Sequence, residues 1–306
     1  MPPPTLLAVP NVSEGRDAGL IGRLGRAIEG QDRGRARLLD VHSDGDHDRS
    51  VFTFAAGPQA LADAMLRLAG EAVAAIDLGA PGRTGQHPHI GALDVAPVVY
   101  LRAEDRGAAC AEALLIAERV GVELEVPVFL YGELTADRAG AGRTRASLRR
   151  GGMAGLAERM AGRGDGAERL TPDFGPRAIH PRAGATLVAA RPPLVAFNLQ
   201  LAPPATLADA RRVAAIVREG GTGGLGGLRA IGVELAGGVA QVSMNVERPL
   251  ELSLVEIVRA VSGHAEVAAG ELVGLAPAAA LDGFPEDLPM PGFDPTRQLI
   301  ENALGC

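Results

Sequence analysis

Apolar residues recur along this chain in two patterns, one typical of strands and the other of helices. Short apolar runs predict strands in the first half over residues 5–12, 37–43, 50–57, 94–101 and 126–134. Apolar positions three and four residues apart predict helices over residues 17–29, 59–76 and 108–120. The first half therefore has the element order β-α-β-β-α-β-α-β.

The second half of the chain shows the same two patterns of apolar residues. Its predicted strands cover residues 185–190, 194–201, 228–235, 239–246 and 271–277. Helices are predicted over 207–219, opened by Thr206 and Asp209, and over 252–261. Gly237 and Gly238 predict a two-residue hairpin between two of the strands.

From Leu194 onward the element order is β-α-β-β-α-β, the split order of ferredoxin-like folds, and the first half contains the same six elements in sequence. The predicted fold class is α+β, with two ferredoxin-like α/β subdomains over residues 1–182 and 183–306. A ligand groove is expected between them, since small molecules often bind between domains.

Residues 135–183 form a long connection that is rich in Arg, Gly and Pro, with a short helix predicted over 147–160. A long loop in a compact fold commonly binds something. The connection and its flanks are unusually rich in arginine, at Arg143, Arg145, Arg149, Arg150, Arg177, Arg182 and Arg191. These side chains either form a solvated basic surface or collect an anionic ligand, because arginine matches carboxylates with two parallel bonds.

The composition excludes several classes of protein. A net charge of −7 and 3% aromatic residues argue against a nucleic-acid partner, which needs a basic face and aromatic stacking. No apolar run is long enough to cross a membrane, and the N-terminus lacks a signal-peptide pattern. Cys110 and Cys306 provide neither a disulfide framework nor a metal spacing. We expect a cytoplasmic protein.

Two short motifs imitate ligand-binding loops. The run GTGGLG at 221–226 matches a dinucleotide pattern, but it follows a predicted helix and precedes a predicted strand, so a glycine-rich flap is favoured. The run DGDHDRS at 44–50 starts like a calcium loop, but Arg49 and Ala55 occupy positions that need Gly and Glu. An acidic, solvated loop is the plainer interpretation.

The pair His87 and His89, separated by one proline, lies between a glycine-rich turn and a predicted strand that contains Asp94. Three interpretations stay open on the residues alone: a metal site, a histidine that is simply satisfied in a loop, and a general acid or base. The third is favoured because histidine titrates near neutral pH and Asp94 is close enough in sequence to orient the ring. No spacing selects a third metal ligand.

Several separated motifs resemble the formiminotransferase family. They are VPNVSEGRD (9–17), LLDVHSDGDHDRSVFTFAAG (38–57), IDLGAPGRTGQHPHIGALDVAPVV (76–99), VPVFLYGE (126–133), PDFGPRAIHPRAGATLVAARPPLVAFNLQL (172–201) and LRAIGVELAGGVAQVSMNV (228–246). They follow in the family's order, and the resemblance covers nearly the whole chain.

The resemblance implies a homodimer that binds tetrahydrofolate between two subdomains and transfers a formimino group from N-formimino-L-glutamate to N5 of the folate, in histidine degradation. It implies that His87 is the catalytic histidine and that no metal is required. It also implies that the chain makes 5-formiminotetrahydrofolate without the cyclodeaminase step.

The same resemblance places the other expected site residues. Asp94 would fix the tautomer of His87, and Asp48 and His89 stand at substrate-facing positions where family members often carry Asn and Arg. The folate-contacting stretch would be Gly175, Pro176, Arg177, His180, Arg182 and Gly184. Substrate carboxylates would be bound by Arg49, Arg177, Arg182 and Arg229. Three alternatives remain: formylglutamate as donor, formiminoglycine as donor, or a folate-binding protein without turnover.

Overall fold

The chain folds into two units, each built on its own β-sheet, as a computed structural model shows. The structure describes residues 3–30, 36–80, 89–136, 142–163 and 169–305. The units are Met1–Pro192 and Pro193–Cys306. Both mix helices with strands, so the predicted α+β class is confirmed.

The first sheet contains seven strands in the described part of the chain. They are β1 (Leu6–Ala8), β2 (Asn11–Val12), β3 (Ala36–Asp44), β4 (Arg49–Ala56), β5 (Leu93–Val99), β6 (Val128–Leu130) and β7 (Thr186–Arg191). Their order is β3-β4-(β1, β2)-β5-β7-β6, with β1 and β2 both lying between β4 and β5. The predicted single strand over 5–12 is interrupted at Pro10, which has no N–H to donate to a neighbour.

Strand β7 lies in the first sheet, and not in the second domain where the sequence analysis placed it. It pairs in parallel with β5 on one side and with β6 on the other. Its run TLVAA is buried at every position, which suits a central parallel strand covered on both faces. The division of the chain therefore falls after Pro192 and not at residue 182.

Helices cover both faces of the first sheet. On one face lie α1 (Ala18–Glu29), α2 (Ala60–Ala75) and α3 (Arg106–Glu123), whose buried apolar positions belong to the same core as Phe52 and Phe54. The other face, over β5, β7 and β6, packs against α4 (Arg145–Arg149) and α5 (Gly152–Met160). The predicted helix over 147–160 is broken in two at Gly151, whose φ of +76° favours glycine.

The second unit has the element order β-α-β-β-α-β. Its elements are β8 (Val195–Leu201), α6 (Leu207–Val217), β9 (Leu228–Glu234), β10 (Ala240–Val246), α7 (Leu254–Ser262) and β11 (Val267–Val273), followed by the short helices α8 (Pro295–Gln298) and α9 (Ile300–Leu304). The sheet order is β11-β8-β10-β9, and every neighbouring pair is antiparallel. Both α6 and α7 contribute to one apolar core with these strands.

Two local sequence signals predict features of the second unit: the start of α6 is confirmed, and the hairpin loop is one residue longer than predicted. Thr206 and Asp209 form the capping box that starts α6, as predicted. The hairpin between β9 and β10 has three loop residues and not two, because Leu235 still donates its N–H to Val239 O at 2.9 Å. Gly237 and Gly238 occupy the positive-φ positions of that loop.

Helix α6 lies directly against the backbone of β9 at Gly232. A Cβ atom built there would lie 2.2 Å from Arg211 N and 2.4 Å from the carbonyl carbon of Ala210. We therefore predict that Gly232→Ala lowers the free energy of unfolding by about 1–3 kcal/mol, since α6 must shift to admit the methyl group. Urea unfolding followed by circular dichroism measures this.

The matched control is Gly107→Ala in α3, where an added Cβ meets no atom within 4 Å. That variant should be as stable as the parent, or more stable by roughly 0.5–1 kcal/mol, because alanine favours helix. Equal midpoints for the two variants would show that the contact between α6 and β9 tolerates the extra volume.

Candidate active site

The N-terminal signature VPNVSEGRD joins two loops of the first unit. Ser13 donates its hydroxyl to Gly91 O at 2.7 Å, and Ser50 donates to Glu14 O at 2.5 Å. A Cβ on Gly15 would lie 2.1 Å from Asp44 O, so only glycine fits against the β3–β4 turn. The motif holds the turn before β4 beside the segment that leads into β5.

The β3–β4 turn is the DGDHDRS segment. Asp44 Oδ1 accepts from the N–H groups of Asp46 and His47, at 2.7 and 3.0 Å, so its carboxylate stabilises the turn itself. Asp48 has a φ of +47° and accepts from Gly15 N at 3.3 Å. His47 and Asp48 are buried, so the expectation of a solvated loop is wrong for these two.

The segment that leads into β5 pairs with the end of the predicted folate-contacting stretch. Ala92 donates its N–H to Ala183 O at 2.8 Å, and Ala185 donates to Ile90 O at 2.9 Å. A Cβ on Gly184, which has a φ of +72°, would lie 2.0 Å from Ile90 O. His89 is half-buried here. His87, the predicted catalytic residue, lies outside the described residues.

Asp94 is buried at the start of β5, and both of its carboxylate oxygens have partners in the structure. Oδ1 accepts from Ile90 N at 2.8 Å. Oδ2 forms an ion pair with Nη2 of Arg149. The described partners of Asp94 are therefore a backbone N–H and a guanidinium, and the predicted contact with His87 is outside the described residues.

Arg149 reaches Asp94 from the last residue of α4, and several contacts fix that short helix. Thr144 and Ser147 form a capping box at its start. Leu148 is buried in the core above β5, β7 and β6. At its end, the guanidinium of Arg159 donates to Ser147 O at 3.0 Å and to Leu148 O at 2.6 Å. These contacts aim the Arg149 side chain at the sheet.

Arg49, at the start of β4, belongs to the same group of charges. Burial is the largest cause that lowers the pKa of Arg49 to about 9; the charges of Arg149 and Arg145 also lower this pKa, while those of Asp94 and Tyr131 raise it. Arg49 is still charged at neutral pH with this pKa. We call Arg49, Asp94, Tyr131, Arg145 and Arg149 the arginine cluster.

The predicted folate-contacting stretch has a structural role at several of its positions. Gly175 packs against Gly121, where a Cβ would lie 3.0 Å from that residue's Cα. His180 Nδ1 accepts from Ala183 N at 2.8 Å and so closes its own turn. Arg182 donates to Asp77 Oδ2 at 3.2 Å, and its side chain is half exposed.

Pro176 and Arg177 are exposed. Within the described part of the chain, neither side chain has an intramolecular hydrogen bond or ion pair.

Arg229 lies in the second unit, on β9. It forms ion pairs with Glu219 at 3.2 Å and with Glu247 at 3.3 Å. Two carboxylates therefore already balance its charge. The nearby run GTGGLG lies between α6 and β9, as predicted, and Leu225 N bonds to Val217 O at 2.9 Å, which ties the run to the end of the helix.

Sequence reasoning found part of this site. It selected Arg49 and Asp94, and it noted Arg145 and Arg149 only as members of a basic segment. Tyr131 and Arg159 were missed, because an aromatic residue after an apolar strand and an arginine in a helix are typical of ordinary structure. The short motif VPVFLYGE was the available signal for Tyr131.

Within the described ranges, no three His, Cys, Asp or Glu side chains are grouped as metal ligands would be. Among the helices of those ranges, none is long and apolar enough to cross a membrane.

Comparison with known proteins gives the family. The sequence model for the formiminotransferase domain, N-terminal subdomain, matches residues 5–191, which nearly coincides with the first unit. The chain belongs to the formiminotransferase family. The match to this subdomain ends at Arg191, the last residue of β7.

Individual relatives extend this likeness over both units. A glutamate formimidoyltransferase of Streptococcus pyogenes serotype M1 is 37% identical over 97% of this chain and 97% of its own length. One from Thermoplasma acidophilum is 32% identical over 94% of this chain and 93% of its own. The formimidoyltransferase-cyclodeaminase of Gallus gallus is 36% identical over 89% of this chain, which spans about half (50%) of that protein.

The lowered pKa of Arg49 predicts a stability effect with a definite sign. At pH 7 the guanidinium is charged in both the folded and the unfolded chain, so the full cost of burying it is present. Above pH 9 the folded chain loses that proton first, and the cost falls as pH rises. Arg49→Met should therefore raise the free energy of unfolding at pH 7 by roughly 1–4 kcal/mol, since each unit by which a pKa is lowered corresponds to about 1.4 kcal/mol of unfavourable interaction of the charged form. This advantage should shrink by pH 10.

Urea unfolding of both proteins at pH 7 and pH 10 measures the difference. The matched control is Arg119→Met, because bonds to Glu123 and Asp63 raise the pKa of Arg119 and do not lower it. That variant should lose at most about 1 kcal/mol, as half-exposed ion pairs do. An Arg49→Met protein that is less stable at pH 7 would contradict the expected cost.

Proposed function

We propose that this chain is a glutamate formimidoyltransferase, which transfers the formimino group of N-formimino-L-glutamate to N5 of tetrahydrofolate. The observation that carries the proposal is the 37% identity to a glutamate formimidoyltransferase over 97% of both chains. The family membership of residues 5–191 supports it independently. The reaction belongs to histidine degradation.

The reaction joins two substrates through a tetrahedral intermediate. N5 of the folate attacks the amidine carbon, and a new C–N bond forms. N5 then loses its proton, the nitrogen of the glutamate gains one, and the old C–N bond breaks. The products are 5-formiminotetrahydrofolate and glutamate, and neither an oxidant nor a metal is needed.

We assign the proton transfers to His87, acting as general base toward N5 and then as general acid toward the leaving nitrogen. Histidine suits both steps because its ordinary pKa lies near neutrality. His87 is three residues before Ile90 in the chain, and three residues of chain span roughly 11 Å at most. This supports a site beside Asp94, whose carboxylate accepts the Ile90 N–H.

The remaining assignments concern binding. We propose that Arg49, Arg177 and Arg182 attract the carboxylates of the two substrates, that Gly175, Pro176, His180 and Gly184 shape the folate-contacting stretch, and that Asp48 and His89 line the donor side. Arg229 is the weakest member of the set, because Glu219 and Glu247 already balance its charge. Two ferredoxin-like subdomains with a folate groove between them, a homodimer and a cytoplasmic location complete the proposal.

Transfer activity tests the proposal directly. Purified protein is mixed with tetrahydrofolate and N-formimino-L-glutamate, and the product is read as the methenyl derivative after acid. We expect product from the parent chain and a loss of about 10² to 10⁴ in rate with His87→Ala, which is the usual contribution of general acid–base catalysis.

The matched control is His264→Ala, since His264 is an exposed histidine of the second unit outside the proposed site. Its rate should equal that of the parent. Equal rates for His87→Ala and the parent would contradict the role of His87 alone. Folate binding without product from any of the three donors, formiminoglutamate, formylglutamate or formiminoglycine, would overturn the transferase assignment.

A further inference from the structure

Three arginines of the arginine cluster lie close to one another around the carboxylate of Asp94. Among the described residues, the charges that act on Arg49 include those of Arg149 and Arg145 and that of the Asp94 carboxylate. Asp94 is itself engaged by Arg149. Because several cations are gathered in a largely desolvated place, the cluster favours the binding of an anion.

Two hydrogen-bond donors of the cluster are buried and unused. Within the described residues, neither Nε of Arg149 nor the hydroxyl of Tyr131 has a hydrogen-bond partner. The Arg149 side chain is 10% exposed and Tyr131 is 6% exposed, so water does not replace those partners freely. Buried polar groups in folded proteins are nearly always bonded, and an unused pair of donors therefore indicates a ligand with acceptor atoms.

The surroundings hold these donors in place before any ligand arrives. The ring of Tyr131 belongs to the same apolar core as Leu148, which neighbours Arg149 on α4. Tyr131 N bonds to Val188 O at 3.0 Å, and Arg159 fixes the end of α4 through the carbonyls of Ser147 and Leu148. Because these side chains are already fixed, a ligand can bind them without the entropic cost of ordering them first.

We propose that the arginine cluster binds a substrate carboxylate, with Arg149 Nε and the Tyr131 hydroxyl as donors, Arg49 as a second cation and Asp94 as the positioning residue for Arg149. A carboxylate is favoured over other anions because its planar pair of oxygens matches the edge of a guanidinium. This inference rests on the proposed function, since it names the binding group of that reaction's site.

The chemistry of the donor selects which carboxylate binds. In N-formimino-L-glutamate the α-carbon bears both the reacting nitrogen and the α-carboxylate, so that carboxylate is always close to the bond that breaks. In tetrahydrofolate the aminobenzoyl group separates N5 from the glutamate tail. Asp94 belongs to the cluster and also accepts the N–H of Ile90, which lies three residues after His87 in the chain. We therefore assign the cluster to the α-carboxylate of the donor.

Calorimetry with L-glutamate, the product that keeps this carboxylate, tests the assignment without turnover. Arg149→Met should raise the Kd for L-glutamate about 10- to 100-fold, the effect of removing a charged hydrogen bond, and Tyr131→Phe should raise it about 10-fold or less. The Kd for tetrahydrofolate should stay within about two-fold in both. Arg149→Lys should recover only part of the loss, because it keeps the charge but lacks the planar fork.

Asp94→Asn distinguishes a positioning role from a structural one. If Asp94 acts by aiming Arg149, this variant should raise KM for the donor and leave KM for tetrahydrofolate unchanged. Arg119→Met on α3, which removes bonds to Asp63 and Glu123, is the matched control and should change neither binding constant. Thermal unfolding checks that each variant is folded, and Tyr131→Phe is the conservative member of the set.

Three results would overturn the inference. Unchanged L-glutamate binding in folded Arg149→Met and Tyr131→Phe would remove the site, while transfer by the parent chain would leave the proposed function standing. A larger Kd for tetrahydrofolate with unchanged L-glutamate binding would assign the cluster to the folate tail. A parent chain that neither transfers the formimino group nor binds L-glutamate would reject both proposals together.

Discussion

The buried ion pair between Asp94 and Arg149 is the contact on which the candidate site depends. It joins the start of β5 to the end of α4, two segments 55 residues apart in the chain. A buried pair of this kind contributes little net stability, because desolvation offsets most of the attraction. The pair instead fixes where the two segments lie relative to each other, because Asp94 can accept from both Ile90 N and Arg149 only when β5 and α4 are in place.

The two backbone segments that meet beside this ion pair are packed very closely. Gly91 and Gly184 face each other in a short bridge, and a Cβ on either would lie 2.0 Å from a carbonyl oxygen of the opposite segment. No other residue fits at these two positions without separating the segments. The resemblance motifs around them are therefore explained in part by packing, and their glycines need not contact a substrate.

Much of the fold was predictable, and the reasons are local. The helix at 207–217 has its capping pair and its apolar spacing within one segment, so the sequence alone specifies it. Strand β7 was assigned to the wrong unit because a fully apolar run carries no information about which sheet accepts it. The same limit applies to the site. Arg149 meets Asp94 only through the packing of α4 on the sheet, and no sequence spacing encodes that contact.

The arginine cluster holds positive charge in surroundings that are unfavourable for it. Burial and the neighbouring guanidinium groups both lower the pKa of Arg49, which means that the free protein holds a cation in surroundings that disfavour it. The apolar contacts of Leu148, Leu156 and Met160 stabilise the layer that keeps those charges together. An arriving carboxylate would then meet donors that are already desolvated and oriented, so its binding requires little reorganisation. For a donor whose carboxylate is attached next to the reacting nitrogen, the same contact would also fix the orientation of the bond that must break.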